Sequence, residues 1–279
     1  MQLLKTVAEA RAWRRTRSRV ALVPTMGNLH AGHLELVSAA RGQADNVIVS
    51  IFVNPLQFGP NEDLANYPRT FEADIAALEH AGVTAVFAPG VDEMYPAGGH
   101  SATTVHVAGI TEMLCGASRP GHFDGVATVV SKLFNMLTPD IALFGEKDYQ
   151  QLAVIRQMAE DLALPVEVVG VPTVREDDGL AYSSRNGYLT PDERRRAVAL
   201  SAAIDDVAAR LAAGQHDYRA LEARGWAQLT DAGFDPDYFD IRDARLAPAT
   251  EQTAVFRVLA AGRLGRTRLI DNKGVAAPR

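Results

Sequence analysis

The sequence predicts a doubly wound, parallel-sheet (Rossmann-like) α/β domain followed by a smaller α+β domain. Three observations carry that prediction. Short apolar runs without polar alternation recur as far as Val171, as expected of strands buried on both faces. Helical patterns separate these runs. Each conspicuous polar motif directly follows such a run, and the carboxyl ends of parallel strands are where ligands bind in open α/β sheets.

Taken in order, Arg11, Arg14, Arg15, Arg17 and Arg19 read as the solvated end of a first helix. The first core strand is expected at Val20–Val23, followed by a glycine-bearing turn and a helix over Leu34–Arg41. Asn46–Val53 is the next strand. Phe71–Ala81 is a helix stopped by Gly82, a residue suited to a helix C-terminus. Ala85–Ala88 and Ile141–Phe144 are strands, with a helix over Gly125–Leu137 between them. Tyr149–Leu162 is a further helix and Val166–Val171 a further strand. The character then changes, and the domain boundary is expected near residue 173, giving domains 1–173 and 174–279. Thr190-Pro191-Asp192-Glu193 combines a cap residue, proline at the first helical position and acids in the first turn. From there one long alanine-rich helix is expected to run to Ala213 and stop at Gly214. A helix over Tyr218–Ala232 and strands at Tyr238–Arg242, Thr253–Ala260 and Arg268–Asp271 complete the smaller domain.

Composition narrows the function classes. The 279 residues are 47% hydrophobic and 22% charged, as in ordinary globular proteins. A net charge of -6 argues against a nucleic-acid binder, which needs a basic surface. No apolar run approaches the roughly 20 residues of a membrane span. An arginine-rich start can mark a transit peptide, but a core strand from about Val20 leaves little sequence to remove. Cys115 is the single cysteine, which excludes an intrachain disulfide and a cysteine-rich metal site. A cytoplasmic protein with no nucleic-acid or membrane partner is expected. His100 and His106 lack paired ligand spacing, so no protein metal site is expected.

The strand-end motifs carry the chemistry. In Pro24-Thr-Met-Gly-Asn-Leu-His-Ala-Gly-His33, His30 and His33 flank Gly32 where a turn becomes a helix. Unpaired backbone N–H groups and the positive helix end suit a phosphate there. Two imidazoles add donors that are neutral or cationic near pH 7. Asn54 and Gln57 follow the next strand across a proline turn, and neutral amides can fix the hydroxyls and carboxylates of a small substrate without reacting. In Phe144-Gly-Glu-Lys-Asp148, Gly145 permits close approach and Lys147 brings a point charge suited to a polyphosphate. Asp148 suits a ribose hydroxyl or a nucleotide's metal, and Gln151 lies one helical turn beyond Lys147. Ser183, Ser184 and Arg185 form a donor set for phosphate oxygens, and Arg185 stays charged at any working pH. Arg119 and His122 stand just before a helix as further substrate candidates, with a structural role the alternative for His122. Taken singly, each motif also fits a surface turn, a salt-bridged turn or a polar loop.

In combination the motifs resemble the pantothenate synthetase (pantoate–β-alanine ligase) family over nearly the whole chain. Besides the segment ending at His33, Phe52-Val-Asn-Pro-Leu-Gln-Phe58, Tyr67-Pro-Arg-Thr70, Gly121-His-Phe-Asp-Gly125, Gly145-Glu-Lys-Asp148 and Ser183-Ser-Arg-Asn186 stand in the family's order and spacing. The His-x-Gly-His element alone is shared with cytidylyltransferases and class I aminoacyl-tRNA synthetases. The resemblance implies an AMP-forming ligase: pantoate attacks the α-phosphate of ATP, and β-alanine then attacks the pantoyl adenylate. It implies that Met26, Gly27, Asn28, Leu29, His30, Ala31, Gly32 and His33 line ATP, with His33 the acid and His30 its support. Gly145, Glu146, Lys147, Asp148 and Val174 contact the nucleotide. Tyr182, Ser183, Ser184 and Arg185 close on its phosphates as part of a C-terminal domain that closes over the active site. Gln57 and Gln151 hold pantoate, and Gln57 also lies near β-alanine. Mg2+ rests mainly on the ATP phosphates, and the protein is a homodimer. The family usually carries methionine where Tyr182 stands here, a change expected to alter packing near the nucleotide. Two other readings remain. One is a nucleotidylyltransferase acting on a phosphorylated small molecule, which would not need the Asn54/Gln57 pair. The other is an idle binding module, which would be marked by loss of His33, Lys147 or Arg185.

Overall fold

The computed structural model describes residues 1–59, 64–96 and 103–278. The chain forms two compact units: residues 1–145 with 151–172, and residues 146–150 with 173–279. The five residues after Gly145 therefore group with the C-terminal unit.

The larger unit is built on strands β1 (Gln2–Leu4), β2 (Val20–Thr25), β3 (Asn46–Ile51), β4 (Ala85–Phe87), β5 (Ile141–Gly145) and β6 (Glu167–Val171). They form one sheet in the order β1-β4-β3-β2-β5-β6, and every pair is parallel. Its helices are α1 (Val7–Arg15), α2 (Ala31–Arg41), α3 (Phe71–His80), the short α4 (Val91–Met94) and α5 (Cys115–Ser118), α6 (His122–Leu137) and α7 (Tyr149–Asp161). Residues 149–150, the start of α7, group with the other unit. Val20, Ala21, Leu22 and Val23 are all fully buried, as the unbroken apolar run requires of a central strand covered on both faces. The doubly wound α/β prediction is met.

The expectation that the sheet starts near Val20 is corrected: β1 precedes it and pairs with β4. Three residues, two of them exposed, leave no periodic signal for so short an edge strand.

The order runs outward from β2 through β3 to β4, then returns to β5 beside β2, so the switch point lies between β2 and β5. Pro24 helps to open it. Thr25 O accepts from Phe52 N on the β3 side, so the neighbouring residue's amide position faces β5. Proline has no N–H to offer there. The β2–β5 ladder holds only Ala21↔Ile141 and Leu22↔Ala142, and the strands part beyond it at their carboxyl ends.

The C-terminal unit contains α8 (Pro191–Ala197), α9 (Ala199–Ala212) and α10 (Tyr218–Asp231), with β7 (Phe234–Asp243), β8 (Val255–Leu264) and β9 (Thr267–Ala276) in an antiparallel sheet ordered β7-β8-β9. Leu200, Ile204, Val207 and Leu211 of α9 pack with Phe256, Val258 and Leu269 of the sheet. Two expectations are corrected here. The alanine-rich helix is two helices, because Val198 sits at ψ -18, short of a regular helical value. The strands run to ten residues each, since Gly265 at φ +59 lets β8 turn directly into β9. No helix among the described residues is long and apolar enough to cross a membrane.

Candidate active site

At the carboxyl end of β2 the chain turns through Met26, Gly27 and Asn28 into α2. Gly27 at φ +80 and Asn28 at φ 52 occupy left-handed backbone that glycine and asparagine tolerate best. Asp74 on α3, only 3% exposed, holds this turn. Its Oδ2 accepts from Asn28 N at 2.9 Å and its Oδ1 from Leu29 N at 2.9 Å, with Thr70 Oγ1 donating to Oδ1 at 3.1 Å. A Cβ on Gly27 would stand 3.0 Å from Asp74 Oδ2 and 3.2 Å from Ile51 Cγ2, so no other residue fits without displacing the carboxylate. On the other side Thr25 Oγ1 accepts from Gly27 N at 3.2 Å and donates to Ser50 O at 2.7 Å, tying the turn to β3.

The two histidines cap α2 reciprocally. His30 is the N-cap and its Nδ1 accepts from Gly32 N at 3.2 Å. His33 reaches back, its Nδ1 accepting from His30 N at 3.3 Å. The rings lie 4.1 Å apart at 36°. This is the geometry of a capping box, with imidazoles replacing the usual hydroxyl and carboxylate. Because Nδ1 accepts in both rings, each neutral imidazole carries its proton on Nε2. Ala31 and Gly32 form the first residues of α2 between them.

After β3, Asn54 is 1% exposed and its hydrogen-bonding capacity is filled. Nδ2 donates to Gln57 Oε1 and to Gly125 O, both at 3.1 Å. Oδ1 accepts from Leu56 N at 3.3 Å and from Tyr95 OH at 2.8 Å. Burial pushes the Tyr95 phenol well above its ordinary pKa, so it remains a donor. With Oε1 of Gln57 accepting from Asn54, its Nε2 donates to Met26 Sδ at 3.2 Å, which ties the turn after β3 to the turn after β2.

The Gln57 main chain is held as well. His122 Nδ1 lies 2.8 Å from Gln57 O, and Arg119 NH2 donates to the same oxygen at 3.4 Å. Arg119 NH1 lies 3.0 Å from His122 Nε2. Arginine can only donate, so His122 Nε2 accepts and Nδ1–H donates to Gln57. α6 can approach this closely because Gly125 lacks a side chain: a Cβ there would stand 2.3 Å from Leu56 O. Asn54, Arg119 and His122 thus converge on Gln57. Gln151 lies in the first turn of α7, half-buried.

In the C-terminal unit, Glu146, Lys147 and Asp148 form a 3-10 turn directly after Gly145. Lys147 Nζ is 3.9 Å from Asp148 Oδ1 and its side chain is 19% exposed. Val174 opens a tight hairpin: Tyr182 N donates to Val174 O at 3.0 Å, and Glu176 N to Leu180 O at 2.8 Å. Ser183 then caps a second 3-10 turn, Ser184–Tyr188, its Oγ accepting from Arg185 N at 3.3 Å. Asn186 Nδ2 pins the turn to Ala181 O at 3.0 Å and Glu176 Oε1 at 3.1 Å. Tyr182, Ser183, Ser184 and Arg185 are all half-buried.

Among the described residues no three His, Cys, Asp or Glu side chains gather as a metal-holding group. His106 sits between Asp124 at 2.9 Å and Glu112 at 3.7 Å, and His100 lies outside the described residues. Sequence reading missed Asp74 and Tyr95. The signal for Asp74 was an acid in the first turn after Thr70, which also reads as ordinary favouring of a helix N-terminus. For Tyr95 no local pattern exists.

Fold and switch point together define a Rossmann-like α/β enzyme whose candidate site residues in the larger unit gather at the carboxyl edge of the sheet. The family profile described as pantoate-beta-alanine ligase matches residues 2–274, and the chain belongs to this family. Among its relatives, a pantothenate synthetase of Idiomarina loihiensis is 57% identical over 273 residues, 98% of this chain and 97% of that protein. One of Thermus thermophilus has a crystal structure matching with a TM-score of 0.91 at 50% identity, covering 98% of this chain and 99% of the other. The crystal structure of a Francisella tularensis pantoate-beta-alanine ligase, complexed with beta-gamma ATP and beta-alanine, matches with a TM-score of 0.79 at 32% identity, covering 98% and 97%.

Proposed function

We propose that this chain condenses pantoate with β-alanine at the cost of ATP, through a pantoyl adenylate. The observation that carries the reading is the interlocked His30–His33 cap at the switch point, with the Gln57 amide bonded to Met26 in the turn that leads into it. The family supports the reaction, and the Francisella relative's complex with beta-gamma ATP and beta-alanine supports the substrates.

In the first step a pantoate carboxylate oxygen attacks the α-phosphorus, the bond to the bridging oxygen breaks, and pyrophosphate leaves. Negative charge grows on the phosphate oxygens, so fixed donors matter more than a protein nucleophile. The α2 N-terminus and the Nε2–H groups of His30 and His33 serve there, with Met26 to Leu29 shaping the turn. Lys147 and the Ser183–Arg185 set carry the charge of the triphosphate. Gly145, Glu146, Asp148, Val174 and Tyr182 take nucleotide contacts as the C-terminal domain closes. Gln57 and Gln151 hold pantoate, while Asn54, Arg119 and His122 act on the substrate through Gln57. In the second step the β-alanine amine attacks the acyl carbon, the carbon–oxygen bond to phosphate breaks, and AMP leaves. Mg2+ travels mainly on the phosphates and water, its usual ligands in nucleotide sites. A homodimer, implied by the family resemblance, and a cytoplasmic location, in keeping with the single cysteine, complete the proposal.

Label in the pantoate carboxylate tests this route. With carboxyl-18O pantoate, one labelled oxygen is expected in the phosphate of AMP. Label in pyrophosphate or inorganic phosphate instead would overturn the adenylate.

A further inference from the structure

Two adjacent polar side chains, Asp271 and Asn272, are each 4% exposed on β9. Neighbouring strand residues face opposite sides of a sheet. Asp271 shares the face of Leu269 and Val275, which pack with α9. There it receives Arg175 through both oxygens, at 2.6 and 3.0 Å, and its Oδ1 also accepts from Asn272 N at 2.8 Å. Arg175 NH1 donates further to Gly179 O at 3.0 Å, closing the hairpin that leads directly into Ser183–Arg185. On the opposite face Asn272 Nδ2 divides its two hydrogens between Glu146 O at 2.8 Å and Lys147 O at 2.9 Å. Its Oδ1 accepts from Arg257 NH1 at 3.0 Å. The Arg257 guanidinium lies 3.7 Å over the Tyr149 ring and reaches Glu146 Oε2 at 3.3 Å. Both 3-10 turns, Glu146–Asp148 and Ser184–Tyr188, pack against β9.

We propose that Asp271 and Asn272 are positioning residues for adenylation. One strand fixes Lys147 from one face and the root of the Ser183–Arg185 loop from the other, setting the spacing of the two cations. This inference rests on the reading above that Lys147 and Arg185 serve the triphosphate. The side chains suit the task. Only a primary amide supplies two donors for two carbonyls plus an acceptor for a guanidinium, and only a carboxylate matches the arginine fork. Burial opposes the charge on Arg175, but Asp271 outweighs it and raises the arginine's pKa, so the clamp stays ionic.

The test compares Asn272→Asp, Asp271→Asn, Lys147→Ala and Arg185→Ala with the doubles Asn272→Asp/Lys147→Ala and Asp271→Asn/Arg185→Ala. Two rates are read on each: pantoate-dependent pyrophosphate exchange, and aminolysis of supplied pantoyl adenylate by β-alanine. Each clamp variant is expected to lower exchange roughly 10–100-fold, the scale of a misplacement near 1 Å, and to leave aminolysis near the parent rate. In the double variants the clamp substitution is expected to add no more than about twofold, the margin of ordinary additivity. Near-parent exchange in the clamp variants, full additivity, or a parallel loss of aminolysis would overturn the positioning role. Full exchange in Lys147→Ala and Arg185→Ala would instead overturn the phosphate roles on which it rests.

Discussion

At the scale of single residues, the site depends on groups that hold other groups. His30 and His33 each spend Nδ1 on the backbone of the helix they cap, so the donor role proposed for each falls to Nε2. His33→Ala is expected to lower turnover by roughly 10²–10³-fold, the scale of losing one charge-stabilising donor. Steady-state kinetics check this, and near-normal turnover would remove His33 from the chemistry. Asn54 similarly spends all its capacity inside the protein, on Gln57, Gly125, Leu56 and Tyr95. Tyr95→Phe deletes one of those bonds and is expected to cost about 1 kcal/mol of stability, the usual net value of a hydrogen bond. Because the lost bond also orients Gln57, KM for pantoate is expected to rise more than KM for ATP; equal or absent effects would contradict that orientation. The residue types were legible in the sequence, since the strand-end spacing singled out His30, His33, Asn54 and Gln57. Their division into groups that face outward and groups that hold them was not. It depends on Tyr95 and Asp74, which reach the motifs from elsewhere in the chain.

At the scale of elements, close approach sets the geometry. α6 lies against the Asn54–Gln57 turn only because Gly125 carries no Cβ. Gly125→Ala is expected to cost about 3 kcal/mol, the upper range for overpacking a tight contact, and to raise KM for pantoate as the turn is displaced. Denaturant unfolding and initial-rate kinetics read the two effects, and an unchanged KM would contradict this packing. A second prediction concerns α10 and β7. Burial raises the pKa of Glu222, whose Oε1 accepts from Ile241 N at 2.9 Å. With its folded-state pKa above the unfolded value, the folded protein holds the extra proton. Stability from this group is present at low pH and declines as pH rises through the folded pKa. Glu222→Gln keeps an acceptor for Ile241 and removes the charge. It is expected to raise the melting temperature at pH 7.5, with the gain closing at pH 4. A variant less stable at pH 7.5 would contradict the sign. The long buried strands and well-capped helices were legible from periodicity. The edge strand β1 and the break at Val198 were not, because a three-residue strand has no period and no proline or glycine marks the break.

At the scale of the whole molecule, the order of the sheet assembles the chemistry. β2, β3 and β5 are adjacent although β4 and several helices lie between β3 and β5 in sequence. The ends of β2 and β3 therefore join the Gln57 amide to Met26, in the turn that leads into the imidazole cap. The expected placement after a strand holds for the His30–His33, Asn54–Gln57 and Gly145–Asp148 motifs but not for Arg119 and His122, which follow α5, or for Ser183–Arg185, well beyond β6. Strand order itself is a long-range property that local pattern does not encode. The central claim is that this site activates a hydroxy-acid carboxylate with ATP. Exchange of labelled pyrophosphate into ATP measures that step alone. Exchange is expected only when pantoate is present, with AMP release requiring β-alanine in addition. Exchange without pantoate, or exchange supported by a phosphorylated acceptor in its place, would contradict the claim.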